Sequence, residues 1–179
     1  MVKMLIILLT GGLEFEVEPG KYYAVIIQTI EDMDSIKLSL GNISWNLFKY
    51  FSFHYTFFHT ENLPEGQIAH IDIQEESISG ILIAEADTVM EVRAPDSIEY
   101  IMKPYTPIGI FVFPSPPSRI DSITIFTRGG VNRTIELRES DIEQFTVVPV
   151  IMISGRRNFI RLFGKGNFKI MVGKILFLH

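Results

Sequence analysis

Apolar and polar residues alternate with a period of two along much of this chain. The cleanest run is Leu13-Glu14-Phe15-Glu16-Val17-Glu18, and that period places successive side chains on opposite faces of a β-strand. Glu18-Pro19-Gly20-Lys21 then reads as a turn with proline at its second position and glycine at its third. Further strands are predicted over residues 22–30, 36–40, 67–74, 78–84, 88–93 and 97–103, separated by acidic or glycine-containing breaks. Residues 45–58 read as one long aromatic strand, with Leu47, Phe51, Phe53, Tyr55 and Phe57 on a shared face. No segment carries the period of a long amphipathic helix.

The second half is more broken. Five prolines fall between residues 104 and 118 around the apolar run 108–113. This predicts a short or edge strand, because proline cannot donate to a ladder. A hairpin is expected where residues 123–127 and 131–137 flank Arg128-Gly129-Gly130. Residues 143–153 supply another strand or two, and 157–163 with 168–178 predict a last hairpin about Gly164-Lys165-Gly166-Asn167. Roughly a dozen strands at short spacing specify an all-β fold, a β-sandwich of jelly-roll or Greek-key type with little or no helix. One domain over residues 1–179 is expected, since each half alone would own a marginal core. The alternative is a split near the proline-rich stretch 103–118.

Composition sharpens this picture. The chain holds 27 Ile and 14 Phe and is 47% hydrophobic, a richness suited to pleated sheets with side chains packed on both faces. There is no cysteine, which excludes disulfides and thiolate metal sites. The opening MVKMLIILLTGG has an apolar core of only six residues, 4–9. That is short for a secretion signal, and no run reaches the ~18 apolar residues of a membrane-spanning helix. Leu5, Ile7 and Leu9 therefore read as part of a buried or intersubunit strand. Residues 168–178 are nearly as apolar, so either terminal strand suits the centre of its own sheet or addition to a neighbour's.

Charge is divided along the chain. Residues 1–100 carry 16 acids against 5 bases, and residues 101–179 carry 5 acids against 11 bases, which together make the net −5. Opposite fields on two parts of one molecule favour head-to-tail docking of identical copies. The richest basic segment runs from Arg156 to Phe163, where Arg157, Phe159, Arg161 and Phe163 share one strand face and Lys165 and Lys169 follow. Arginine interleaved with rings can bind nucleic acid, but the acidic total argues against it, since non-specific binding needs a dominating basic field. An acidic neighbouring subunit, met through residues 61–99, is the preferred partner.

Candidate chemistry is sparse. His70 and Asp72 lie two apart on one strand face, the best candidate metal pair, and suit the mouth of a cupin-like barrel. A metal site needs three or four converging ligands, and the remaining segments offer only His179 as a further histidine. No cofactor is expected. His54 and His59 differ by an odd spacing and should face opposite sides of a strand. No nucleophile elbow, phosphate-binding Gly-Lys-Ser/Thr loop or His-Glu-x-x-His is present. Asn42-Ile43-Ser44 and Asn132-Arg133-Thr134 are glycosylation triplets, so a glycan at Asn42 or Asn132 is one expectation.

These features imply a non-enzymatic, self-assembling β-protein: a virion component such as a capsid, decoration or tail protein, with copies of itself and other virion proteins as partners. An extracellular or cell-surface filament subunit fits the same features. A carbohydrate- or ligand-binding module is the alternative from another class, with Trp45, Tyr50, Tyr55, Tyr100 and Tyr105 as ring platforms. A metalloenzyme using His70 and Asp72 comes last.

Overall fold

The computed structural model describes residues 7–9, 12–93, 97–102, 107–114, 122–127, 132–136, 150–152, 158–164 and 167–179. Among these residues the structure is strands with one 3₁₀ turn, Glu75–Ser77, and no α-helix. The chain forms an all-β sandwich fold, as the period-two alternation requires. It divides into two compact units, one made of Met1–Asp87 with Ile175–His179 and the other of Thr88–Lys174.

In the first unit, β1 (Ile7–Leu9), β2 (Gly12–Val17), β4 (Lys37–Leu40), β5 (Ile43–Asn46) and β8 (Gln67–Asp72) form one antiparallel sheet in the order β1-β2-β8-β4-β5. The facing layer runs β9-β3-β7-β6, from β3 (Tyr22–Thr29), β6 (Phe48–Tyr50), β7 (Phe53–His59) and β9 (Ile78–Ala86). The alternation explains the core between them: Leu13, Phe15 and Val17 point inward against Tyr23, Val25 and Ile27, while Glu16 stays exposed. Leu38, Ala69, Ile71 and Ile83, each fully buried, complete the same cluster. Gly20, at φ +72°, makes the turn that carries the chain from β2 in one layer to β3 in the other, and a glycine suits that third turn position because it needs positive φ.

In the second unit, β12 (Ile108–Pro114) pairs with β15 (Val150–Met152) and with β17 (Asn167–Leu178), and β10 (Val89–Arg93) also pairs with β17. A four-stranded sheet runs β11-β16-β13-β14, from β11 (Ser97–Met102), β13 (Ser122–Thr127), β14 (Asn132–Glu136) and β16 (Asn158–Gly164). Ile108, Phe111, Ile170 and Met171 are buried here. The expected hairpin of residues 123–127 with 131–137 forms as β13 against β14.

Three expectations are corrected. The long strand over 45–58 is three shorter ones. Leu47 leaves the ladder to enter the core, donating its N–H to Ile36 O at 2.8 Å, and Phe51-Ser52 closes a two-residue hairpin in which Tyr50 opposes Phe53. The strand at 108–114 is flanked on both sides rather than at an edge, because its only proline, Pro114, is its last residue and leaves the ladder before it intact. Residues 157–163 and 168–178 do not form a hairpin: β16 pairs with β11 and β13, whereas β17 pairs with β10 and β12. A short loop permits a hairpin, yet the apolar strand on each side finds more partner strands elsewhere.

Candidate functional site

The first unit carries a cleft of about 560 Å³ whose apolar floor includes Trp45, Phe58 and Leu63 and whose polar side is Glu61 and Asn62. Trp45 arrives on β5 through the register Leu38↔Trp45, the half-buried position of an otherwise exposed edge strand. Its indole Nε1 donates to Thr56 Oγ1 at 2.8 Å, and its ring meets Phe58 edge-on at 5.4 Å. Phe58 in turn stacks on Tyr23, also at 5.4 Å. Tyr23 is fully buried; its hydroxyl donates to Glu85 and accepts from the Glu18 N–H, both at 2.8 Å. Burial, reinforced by Glu85, raises its phenol above the ordinary range.

The polar side is fixed by Thr60, which is fully buried just beyond the end of β7. Its hydroxyl accepts the Lys21 N–H at 2.9 Å, its carbonyl accepts the Gly20 N–H at 2.9 Å, and its own N–H donates to Lys21 O at 3.0 Å. Thr60 is thereby anchored to the turn between β2 and β3, and its carbonyl also accepts the Leu63 N–H at 3.3 Å, closing the turn that carries Glu61 and Asn62. The His59 ring lies parallel to Tyr22 at 4.0 Å, with Nδ1 3.7 Å from Glu61 Oε2. The site joins an aromatic floor to a carboxylate and an amide, while the His59 ring lies on Tyr22 on the other face of β7.

A second feature is an exposed apolar rim about the β6–β7 hairpin. Phe51 is 76% exposed, Phe48 60% and Phe53 40%, and Ile30 beside them is 65% exposed. The Thr29 N–H donates to Ser52 O at 2.8 Å, which holds the hairpin tip against the end of β3. Phe51 has φ +52°, a genuine outlier for a bulky residue. Lys49, between the phenylalanines, pairs with Asp32 at 2.7 Å, and that hydrogen bond and charge hold the Asp32 carboxyl below its ordinary value.

The remaining sequence candidates scatter. His70 and Asp72 do share a face of β8, but His70 sits opposite Glu14, its Nδ1 3.3 Å from Glu14 Oε1, and Asp72 lies opposite Lys37. No group of three or more metal-ligating side chains occurs among the described residues. His54 is fully buried on β7 while His59 faces the other way, as their odd spacing implies. Phe159, Arg161 and Phe163 occupy alternate positions on β16, an interior strand, with Arg161 opposite Glu99. Arg156, Arg157, Lys165, Leu5 and Tyr105 lie outside the described residues. Lys169 is exposed on β17 and pairs with Glu91 at 3.5 Å. Ile7 and Leu9 belong to the outer strand of their sheet, opposite Glu14 and Gly12. Asn42 is exposed at the tip of the β4–β5 hairpin, and Asn132 begins β14. Among the ring platforms, Tyr55 is only 7% exposed beneath Phe48, Tyr50 lies on β6 and Tyr100 on β11; Trp45 alone of the five is among the residues lining the cleft. Sequence reasoning missed the roles of Glu61, Asn62 and Phe51. Tyr50-Phe51-Ser52-Phe53 offers only Ser52 among the residues that announce a turn, and no glycine or asparagine at the position of positive φ.

No helix among the described residues is long and apolar enough to cross a membrane. No protein-family model matches the chain, and no curated protein matches its sequence. Among solved structures the chain is similar to a turret protein of Sulfolobus turreted icosahedral virus, with 13% identity over 93% of each chain and a TM-score of 0.32.

Proposed function

We infer that this chain is a non-enzymatic structural protein that assembles with copies of itself as a component of a virion, in a capsid, decoration or tail role. One observation carries the reading: the charge division follows the two compact units. The unit of residues 1–87 and 175–179 holds 13 acids against 4 bases, net −9, and the unit of residues 88–174 holds 8 acids against 12 bases, net +4. When the acidic unit of one copy meets the basic unit of the next, each docked pair still offers a free pole of either sign. Such heterologous contacts continue until a ring or shell closes or a filament grows. The exposed rim of Phe48, Phe51, Phe53 and Ile30 supplies apolar surface of the kind found at interface centres.

Light scattering of the purified protein tests this. Assembly should be strong at about 0.02 M salt and weaken by about 0.5 M, where charges are screened beyond a few ångströms. Replacing Arg157→Glu together with Arg161→Glu should lower the assembled fraction at low salt. A monomer at every salt and protein concentration overturns the reading. Particles in electron micrographs of native material that contain the chain at a regular lattice position are the expected sight; an unbounded fibre assigns it to a filament instead and overturns the virion placement.

A further inference from the structure

We propose that the Trp45 cleft of the first unit is a binding site for a neutral carbohydrate. The proposal is independent of the assembly reading, which concerns charge and the β6–β7 rim. It begins with the floor. The indole has its N–H committed to Thr56, so what it offers a ligand is an apolar ring, already held in place by Phe58 and by the packing of Phe58 on Tyr23. Flat aromatic surface of this kind suits the C–H face of a pyranose. The side of the cleft supplies what the hydroxyls of such a ring need: the Glu61 carboxylate accepts and the Asn62 amide both donates and accepts.

Chemistry narrows the ligand class. A wholly apolar guest would cover Glu61 and Asn62 without replacing the hydrogen bonds they make to water, a cost that a hydroxyl-bearing guest avoids. An anionic sugar would meet Glu61 within a unit of net charge −9, so uronic and sialic acids are disfavoured. A neutral glycan satisfies both constraints. The volume of about 560 Å³ lies within the range of small-molecule sites and leaves room for more than one ring. The backbone beneath the polar side is set in advance, because Thr60 is tied to the β2–β3 turn by hydrogen bonds of 2.9–3.0 Å and accepts the Leu63 N–H at 3.3 Å, which closes the turn that carries Glu61 and Asn62. Little ordering is then needed on binding.

Trp45 is the only tryptophan of the chain, so its fluorescence reports this cleft alone. The full-length protein is titrated separately with maltohexaose, cellohexaose, mannohexaose and chitohexaose, each to about 10 mM, the range in which weak sites saturate. At least one should give a saturable shift in emission. In the surface variant Glu61→Ala with Asn62→Ala, affinity should fall at least about tenfold while the melting temperature holds, since a hydrogen bond to a charged carboxylate is by itself worth about that much. Because Trp45→Ala removes both floor and reporter, its loss of binding is read by calorimetry. No saturable shift with any of the four overturns the proposal. So does undiminished affinity in the double variant, and so does a shift with tetramethylammonium in place of the sugars, which would mark a cation cage. None of these outcomes alters the salt dependence of light scattering, so the two readings fail separately.

Discussion

Phe51 is the residue where fold stability and assembly should part company. At φ +52° its backbone sits in a region that costs a non-glycine residue about 1–2 kcal/mol. Phe51→Gly removes that cost, but a glycine gives up about 0.5–1 kcal/mol more chain entropy on folding. The lost ring matters little to the isolated molecule. It is 76% exposed, so about a quarter of a roughly 200 Å² side chain is covered, worth about 1 kcal/mol at ~25 cal/mol per Å². The three effects nearly cancel, and stability should change by less than about 1 kcal/mol. Buried in a contact between copies, however, the remaining ~150 Å² would contribute up to about 4 kcal/mol at the same coefficient, which is a factor of about 10²–10³ in association. Urea unfolding in about 0.5 M salt, where the protein is expected to be monomeric, measures the first quantity. Sedimentation velocity at low salt measures the second. Unchanged association would remove the rim from the interface. A drop in stability beyond about 2 kcal/mol would show that the ring is held more firmly than its exposure implies, and would refute the strain argument.

Three further outcomes are expected. Gly12→Ala should lower stability by about 2–3 kcal/mol and the melting temperature by several degrees, because its Cβ would fall 2.5 Å from both Ile71 O and the His70 ring at φ +154°; an unchanged melting temperature contradicts this. His54 is fully buried, its Nε2 donates to Met33 O at 3.1 Å and its Nδ1 has no hydrogen-bond partner among the described residues. Burial lowers its pKa below 6.5, so the unfolded chain binds the proton first and this contribution to stability, full above about 6.5, is lost as pH falls toward the folded value. Denaturant midpoints between pH 7.5 and 5 should decline less steeply in His54→Gln, and parallel curves for the two proteins count against the assignment. Thr60→Val should cost about 1–3 kcal/mol by leaving the partly buried Lys21 N–H without its acceptor, read as a lower urea midpoint with unchanged slope.

Local signals carried much of the architecture. The alternation Leu13-Glu14-Phe15-Glu16-Val17 becomes β2 with its apolar residues in the core, and Glu18-Pro19-Gly20-Lys21 is the turn its residues announce. The break at Phe51 was invisible because nothing in its neighbours demands positive φ; the hairpin is imposed by pairing of Phe48 with Tyr55 and of Tyr50 with Phe53. The cleft was half legible. Trp45 stands out as a ring, whereas Glu61 and Asn62 read as ordinary loop residues, since no local pattern reveals that Thr60 before them is fixed to the β2–β3 turn.

By itself the amino-acid order determined the strand-forming alternation, the all-β class, the divided charge and the want of cysteine chemistry. These follow from composition and from a period that any short window displays. Tertiary structure alone decided which strands pair: that β16 joins β11 and β13 rather than β17, and that β12 is flanked on both sides. It alone brought Trp45 from one sheet against Phe58 from the other. Pairing is settled by how much apolar surface and how many backbone hydrogen bonds distant segments can satisfy together, a sum over the whole chain that no local pattern contains.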